Sequence, residues 1–355
     1  MVSHWCPGHK TGRMYNATIV ADSINEFNHR LTTLEVEMPR IILAEFNTHR
    51  MLTRNSASSR AIPAKKMIDV VTNNPFIPLR WLKAHSGMQG NEYFTDLCGI
   101  DFKEVDRCFQ YDEYKHMLSI QYLDNRWLEA RDYMVSMAEE LLNLRVSKQI
   151  INRLLEPFMW HKVLVSATEW ENFLAQRTDP AAEIHMQATA QIIRDALNFS
   201  TPRFLKAGQW HLPYISIEDF KHFYLLPRDT DGIEYPLVYV SAARCAQTSY
   251  TVIDQEDKPM DYDKLIRLGR NLVKNGHWSP WEHPSLCMTQ AEYSHAKFFR
   301  GQQMGWCGNF RGWIQARKQF PNENRSYPEL VRKYDSVNDR LRKVSDSPGE
   351  QGSQA

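Results

Sequence analysis

The stretch that decides the fold is residues 34–63, LEVEMPRIILAEFNTHRMLTRNSASSRAIP. In Leu34-Glu35-Val36-Glu37-Met38 apolar and charged residues alternate, the period of a half-buried strand, and β structure is expected over residues 17–38. Pro39 suits the first turn of a helix, where its missing N–H has no partner to lose. Residues 39–52 therefore read as that helix, with Ile42 and Phe46 on one side and Glu45 and His49 sharing a face four residues apart. The Ser-rich run from Asn55 to Arg60 competes for backbone hydrogen bonds and reads as a loop. Strand, helix and loop follow one another within 30 residues.

Outward from this stretch, residues 70–112 carry Pro75, Pro78, Gly87 and Gly90 and read as irregular. The middle third reads as helical. Trp127, Arg131, Met134, Met137, Leu141 and Leu144 recur at three- and four-residue spacing. Ser147 suits the cap of a helix carrying Ile150, Ile151, Leu154 and Leu155 and ending near Pro157. Two more helices are expected over 160–177 and 182–198. A linker with Pro202, Gly208, Pro213 and Pro227 follows, then a strand and turn over 238–250. Leu265, Leu268, Leu272 and Val273 mark a helix closed by Asn275-Gly276. The tail from Val344 has no apolar payload and reads as disordered.

Composition narrows the function classes. The 355 residues hold 43 Lys and Arg against 42 Asp and Glu, which argues against a nucleic-acid coat and against stable nucleic-acid binding. No apolar run approaches the roughly 20 residues that span a bilayer, and the first residues lack the apolar core of a secretory signal. The six cysteines are scattered without a CxxC pair, so they read as free thiols of a reducing, cytoplasmic setting. His4, Cys6 and His9 lie close together but have no second ligand pair. A mobile N-terminus is the simpler reading, and no metal is expected. Phosphate-loop, dinucleotide GxGxxG, nucleophile-elbow and HExxH motifs are all missing.

The balanced net charge hides two acid-free basic stretches. Phe46 to Ile68 contains Arg50, Arg54, Arg60, Lys65 and Lys66; Tyr293 to Asn322 contains Lys297, Arg300, Arg311, Arg317 and Lys318. With interleaved Ser, Gly and Asn donors, such stretches suit phosphate groups, although a solvated basic face has the same composition. No covalent nucleophile stands out, so the chemistry of an enzyme here would come from a cofactor.

At Thr48-His49-Arg50, followed by seven residues and Ser58, the sequence resembles the R-H-R-x7-S signature of the flavin-dependent thymidylate synthases (ThyX). Further segments are similar. RLLEP (Arg153–Pro157) resembles the family's R-x-x-L-P stretch, NFLAQR (Asn172–Arg177) its N-F-L-x-L-R helix, and AAEIHMQATA its A-Q-x-E-I segment. Ala242-Ala243-Arg244 and GHWSPWEH (Gly276–His283) resemble its A-A-R and G-H-x-T-P-F-E-H elements. In the family those last two come first. The chain therefore looks like a rearranged, circularly permuted and extended phage-type member. The resemblance implies an α+β fold with a central, mostly antiparallel sheet flanked by a helical bundle. It implies one catalytic domain over 17–343 after an N-terminal segment, with an insert at about 70–115, a linker at about 200–237, the permuted element at 238–290 and an extension at 291–343.

The family uses FAD, NADPH and methylenetetrahydrofolate to methylate dUMP at C5, as a homotetramer with sites between subunits. Carried over, His49, Arg50, Asn55, Ser166, Asn172, His277, Ser279 and Glu282 would meet the flavin nucleotide. Glu45, Ser58, Ser59, Arg60, Arg153 and Arg177 would meet the substrate. Arg177 would be the catalytic residue, stabilising negative charge on the pyrimidine. The departures are Thr48 for the first motif Arg, Glu45 for a Gln near the substrate, Ser56 for the Glu beside Asn55, and Thr168 for a flavin-binding Arg. Arg300 or Arg311 of the extension would restore the lost charge. Glu45 would accept from a cytosine amino group, so C5 methylation or hydroxymethylation of dCMP is the alternative. A non-catalytic nucleotide-binding homologue is a further one.

Overall fold

The computed structural model describes residues 15–87, 90–94, 119–224, 236–248, 261–299, 306–320 and 323. The expected strand region forms a hairpin, β1 (Asn16–Asn25) and β2 (Arg30–Pro39), paired antiparallel with an irregularity between Ile19 and Ala21. After β2 come one 3-10 turn at Arg40–Ile42 and one helical turn, α1 (Leu43–Phe46). The helix expected over 39–52 is thus much shorter. Thr48 Oγ1 donates back to Glu45 O at 2.7 Å, and Arg54 Nη1 donates to Phe46 O and His49 O at 3.2 and 2.8 Å. These side chains satisfy the carbonyls that a continuing helix would have used. The chain then turns into β3 (Thr53–Ser56), so the expected loop begins as a strand.

A short helix, α2 (Ala64–Asn73), follows and reaches into the region read as irregular. α3 (Ser119–Asn143) and α4 (Lys148–Leu155) match the helical middle third, and Ser147 Oγ accepts from Gln149 N at the start of α4. Ile62, Met67, Ile68 and Val71 pack with Ala138, Ile151, Leu155 and Phe158 into the core of this bundle.

Residues 160–177 are not one helix. They form β4 (Trp160–Ala167), then α5 (Glu171–Arg177). β4 is buried on both faces over most of its length, so its sequence carries no alternation and an apolar run of that length reads equally as helix. β4 runs antiparallel between β2 and β3, and β5 (Arg203–Leu205) joins β1 in parallel; the order is β3-β4-β2-β1-β5. One face of this sheet, with Leu34, Val36, Met38, Val163 and Val165, packs on Phe46, Phe173, Met186, Ala190 and Ile193. Most of the latter lie on α5 and α6 (Ile184–Phe199). Burying side chains of this size stabilises by about 1.5–3 kcal/mol each.

The segment read as a linker holds β5, β6 (Trp210–His211) and α7 (Ile217–Tyr224). The strand expected over 238–250 is a helix, α8 (Pro236–Gln247). Leu237 to Ala243 are all buried in it, and burial from every side overrides the β-preference of Val238, Tyr239 and Val240. α8 packs on α9 (Tyr262–Lys274), the helix expected from its leucine spacing, over a core with Trp278 and Trp281. β7 (Ser285–Cys287), α10 (Gln290–Phe299), β8 (Trp306–Cys307), β9 (Phe310–Arg311) and β10 (Trp313–Gln315) complete the described elements. β6, β7 and β10 form a second, small sheet. The architecture is α+β with a central, mostly antiparallel sheet and flanking helices, as the resemblance implied. His4, Cys6, His9, Cys98, Cys108, Arg300 and the tail lie outside the described residues. No helix among the described residues is long and apolar enough to cross a membrane.

Candidate active site

The turn after α1 and the end of α5 meet at Arg177. Its Nε donates to His49 Nε2 at 2.8 Å, Nη1 pairs with Glu45 Oε1, and Nη2 reaches Thr48 Oγ1 at 3.4 Å. His49 is buried and stands edge-on to Phe173 at 4.9 Å. Burial, with the cations of Arg177 and Arg54, pushes its imidazole below the ordinary range. The neutral ring then accepts at Nε2, which places its proton on Nδ1. Asn172, one turn before Arg177 on α5, is exposed, and its Oδ1 accepts from Gln176 at 3.1 Å. Arg50 is exposed on the same turn as His49.

The C-terminal extension closes over this turn. Asn309 Nδ2 donates to Thr53 Oγ1 at 3.1 Å and to Arg50 O at 3.5 Å, and Arg311 N donates to Thr168 Oγ1 at 3.1 Å. Gln315 Nε2 bridges Thr53 Oγ1 and Glu282 O at 3.2 and 3.1 Å. Glu282 pairs with Arg317; burial raises its carboxyl pKa, and the cations of Arg317 and Lys318 offset only part of the rise.

A second group sits beyond the other end of β3. Thr53 is opposite Ser166 on β4 and Ser56 is opposite Val163, so the loop from Ser58 to Ile62 follows the strand end that lies about 10 Å from Thr53. Ala61 N and Ile62 N donate to Ser58 O, and Arg60 N donates to Ser58 Oγ at 3.3 Å. Asn152 Nδ2 donates to Ser59 O and Ile62 O at 2.8 and 3.0 Å, fixing the loop on α4. Arg60 and Arg153 are both exposed.

Residues 245–279 supply a third group. Asn55 Nδ2 donates to Cys245 O at 2.6 Å, and Ser279 Oγ donates to Asn55 Oδ1 at 3.4 Å. His277 and Ser279 are exposed beside α9. Ser166 is in different surroundings. It is fully buried in a chain of hydrogen bonds running Ser23, His211, Thr33, Ser166, His283, with contacts of 2.6 to 2.9 Å. Burial pushes the imidazoles of His211 and His283 down to about 3, so both are neutral at physiological pH. Ser166 therefore binds across the sheet rather than outward.

Sequence reading did not single out Asn152, Asn309 or Gln315, and it named Arg54 only as one base of an acid-free stretch, not as the group that ends α1. Asn152 carried a readable signal, a polar residue on the apolar stripe between Ile151 and Leu155. The others act through contacts 200 or more residues apart, or through a cap, and spacing shows neither. Among the described residues, no cluster of three His, Cys, Asp or Glu is arranged to hold a metal.

No protein-family model and no curated protein matches the chain. Among solved structures it is similar to the UMP/dUMP methylase PolB from Streptomyces cacaoi, bound with 5-Br UMP, at 11% identity and a TM-score of 0.38, over 52% of this chain and 88% of that one.

Proposed function

We propose that the chain is a flavin-dependent enzyme that transfers a one-carbon unit to C5 of a pyrimidine deoxynucleotide, with methylation of dUMP to dTMP as its reaction. The observation that carries this reading is the meeting of two motif segments at Arg177. THR and NFLAQR are over 100 residues apart in sequence, yet Arg177 Nε bonds His49 Nε2. A guanidinium held on three sides is oriented before substrate arrives, which is what charge stabilisation on a pyrimidine requires.

The donor set fits a dinucleotide. Arg50, Asn172, His277 and Ser279 offer exposed cationic, amide, imidazole and hydroxyl groups. With His49 and Asn55, they would hold FAD. The flavin would supply reducing equivalents taken from NADPH, and methylenetetrahydrofolate would supply the carbon. Ser58, Ser59, Arg60 and Arg153 would hold the nucleotide phosphate. Arg177 would hold the base and balance the charge that develops as C5 becomes nucleophilic, with His49 keeping its plane fixed. The two groups lie at opposite ends of β3, which supports a homotetramer whose sites combine residues of neighbouring copies.

Glu45 beside Arg177 favours a second reading, in which the base is cytosine. A carboxylate accepts from the cytosine amino group, which uracil lacks. The deciding experiment is purification followed by turnover of dUMP and dCMP, with absorbance read for bound flavin. Flavin absorbance with dTMP formation, abolished by Arg177→Ala, is expected. Turnover of dCMP alone sinks the first reading, and a colourless protein inert with added FAD sinks both.

A further inference from the structure

The hairpin of β8 and β9 holds Arg311 half-buried, with its Nε unsatisfied among the described residues. Gly308 and Gly312 take φ of +77° and +76°, and a Cβ at Gly312 would meet Asn25 Nδ2 at 2.7 Å. Asn25 Nδ2 donates to Gly312 O at 2.9 Å and Trp313 Nε1 donates to His29 O at 3.2 Å. These contacts and those of Asn309 lock the hairpin against β1 and the turn at Arg50. Arg311 Nε is buried and has no hydrogen-bond partner among the described residues. Among the described residues no carboxylate pairs with Arg311; Glu169 feels its charge but makes no ion pair with it. Leaving a buried guanidinium donor unpaired is costly, and a rigid hairpin cannot turn it out to water at will.

Two further polar groups lie on the segments that the hairpin touches. Thr168 Oγ1 spends a lone pair on Arg311 N, which leaves its hydroxyl hydrogen to donate elsewhere. Arg50 is exposed on the turn that Asn309 grips. A fork of guanidinium donors, a hydroxyl and a second cation match the geometry and double charge of a phosphate better than they match a single carboxylate.

We propose that Arg311, with Thr168 and Arg50, forms a phosphate-binding subsite that the C-terminal extension adds to the proposed active site. The subsite rests on that function only for the choice of nucleotide probes. The phosphate belongs either to a dinucleotide cofactor or to the nucleotide substrate, and the test separates them. The full chain, wild type and as Arg311→Ala, Arg311→Lys and Thr168→Val, is titrated with pyrophosphate, FAD and dUMP, with melting curves to check folding. Arg311→Ala is expected to weaken pyrophosphate at least about tenfold, and Arg311→Lys, which keeps charge but loses the fork, by an intermediate factor. Thr168→Val is expected to weaken it a few-fold. If Arg311→Ala does not fold, Arg311→Lys and Thr168→Val carry the test. A matching loss for FAD with dUMP unchanged assigns the cofactor phosphate; the reverse assigns the substrate phosphate. Unchanged affinities in every variant, or no pyrophosphate binding by the wild type, overturn the subsite. Pyrophosphate binding through Arg311 without FAD or dUMP binding leaves the subsite standing and removes the proposed function.

Discussion

At the scale of the residue, Arg177 shows what an alignment of motifs leaves out. The resemblance named Arg177, His49 and Glu45 separately, and the structure joins them: His49 accepts from Nε, and Glu45 pairs with Nη1. Glu45 removes part of the positive field that would act on an anionic pyrimidine, and it offers an acceptor where an amide would offer both hydrogen-bonding senses. Glu45→Gln keeps the size and frees Arg177 of its counter-charge. It is expected to raise kcat/KM on dUMP relative to dCMP by about tenfold, the effect of roughly one hydrogen bond to a charged group. Parallel kinetics on the two nucleotides read the ratio, and an unchanged ratio removes Glu45 from base recognition. Glu45 and His49 meet at one guanidinium, but not through the shared helical face that their spacing implied, because His49 lies beyond the end of α1. That the helix would end at Phe46 was not legible, because Arg54 reaches back from β3 to take its carbonyls.

At the scale of the element, sequence reading worked where the apolar residues keep a period and failed where enclosure erases it. β2, α6 and α9 show clear periods and form where expected. β4 and α8 are enclosed on nearly all sides, so their apolar residues have no period to read; the first looked helical and the second extended. The candidate substrate loop makes the same point. Its Ser and Arg residues were legible, but Asn152, which pins it, lies in the stripe of α4. Asn152→Ala removes two donors to the loop carbonyls, costing about 2 kcal/mol of stability. Since Asn152 donates to backbone and not outward, nucleotide KM is expected to rise several-fold with kcat within about twofold. A collapse of kcat at unchanged KM would place Asn152 in the chemistry instead.

At the scale of the whole molecule, the order of segments in the chain matters less than where the fold returns them. Ser279 and Glu282 follow β3 by more than 200 residues and still lie against it, Ser279 on Asn55 and Glu282 bridged to Thr53 through Gln315. The loop at Ser58 and the guanidinium of Arg177 nevertheless sit at opposite ends of β3. If sites combine neighbouring copies, mixing inactive Arg177→Ala with inactive Arg60→Ala protein restores part of the activity; no recovery after verified subunit exchange means that each copy works alone. Solution pH provides a separate test of the interior. His161, His211 and His283 are all pushed down to about 3 by burial. Their folded values lie below the unfolded value of about 6.5, so the unfolded chain takes protons that the folded one refuses. Their contribution is complete above about pH 6.5 and falls as pH drops toward 3, by about 2 kcal/mol per histidine at pH 5. His29 and His49 are lowered too and add in the same sense. Glu169 and Glu282 are raised and act in the opposite sense. Asp22, Glu183 and Asp219 are lowered, so they lose their contribution only below about pH 4.5. Among the described residues, the lowered histidines outnumber the raised carboxylates between pH 6.5 and 4.5, and stability falls with acidity. Denaturant midpoints at pH 7.5, 6 and 5 should decline in that order, and His161→Phe, if it folds, should flatten the slope. A midpoint constant from pH 7.5 to 5 would mean that the buried imidazoles are not held neutral.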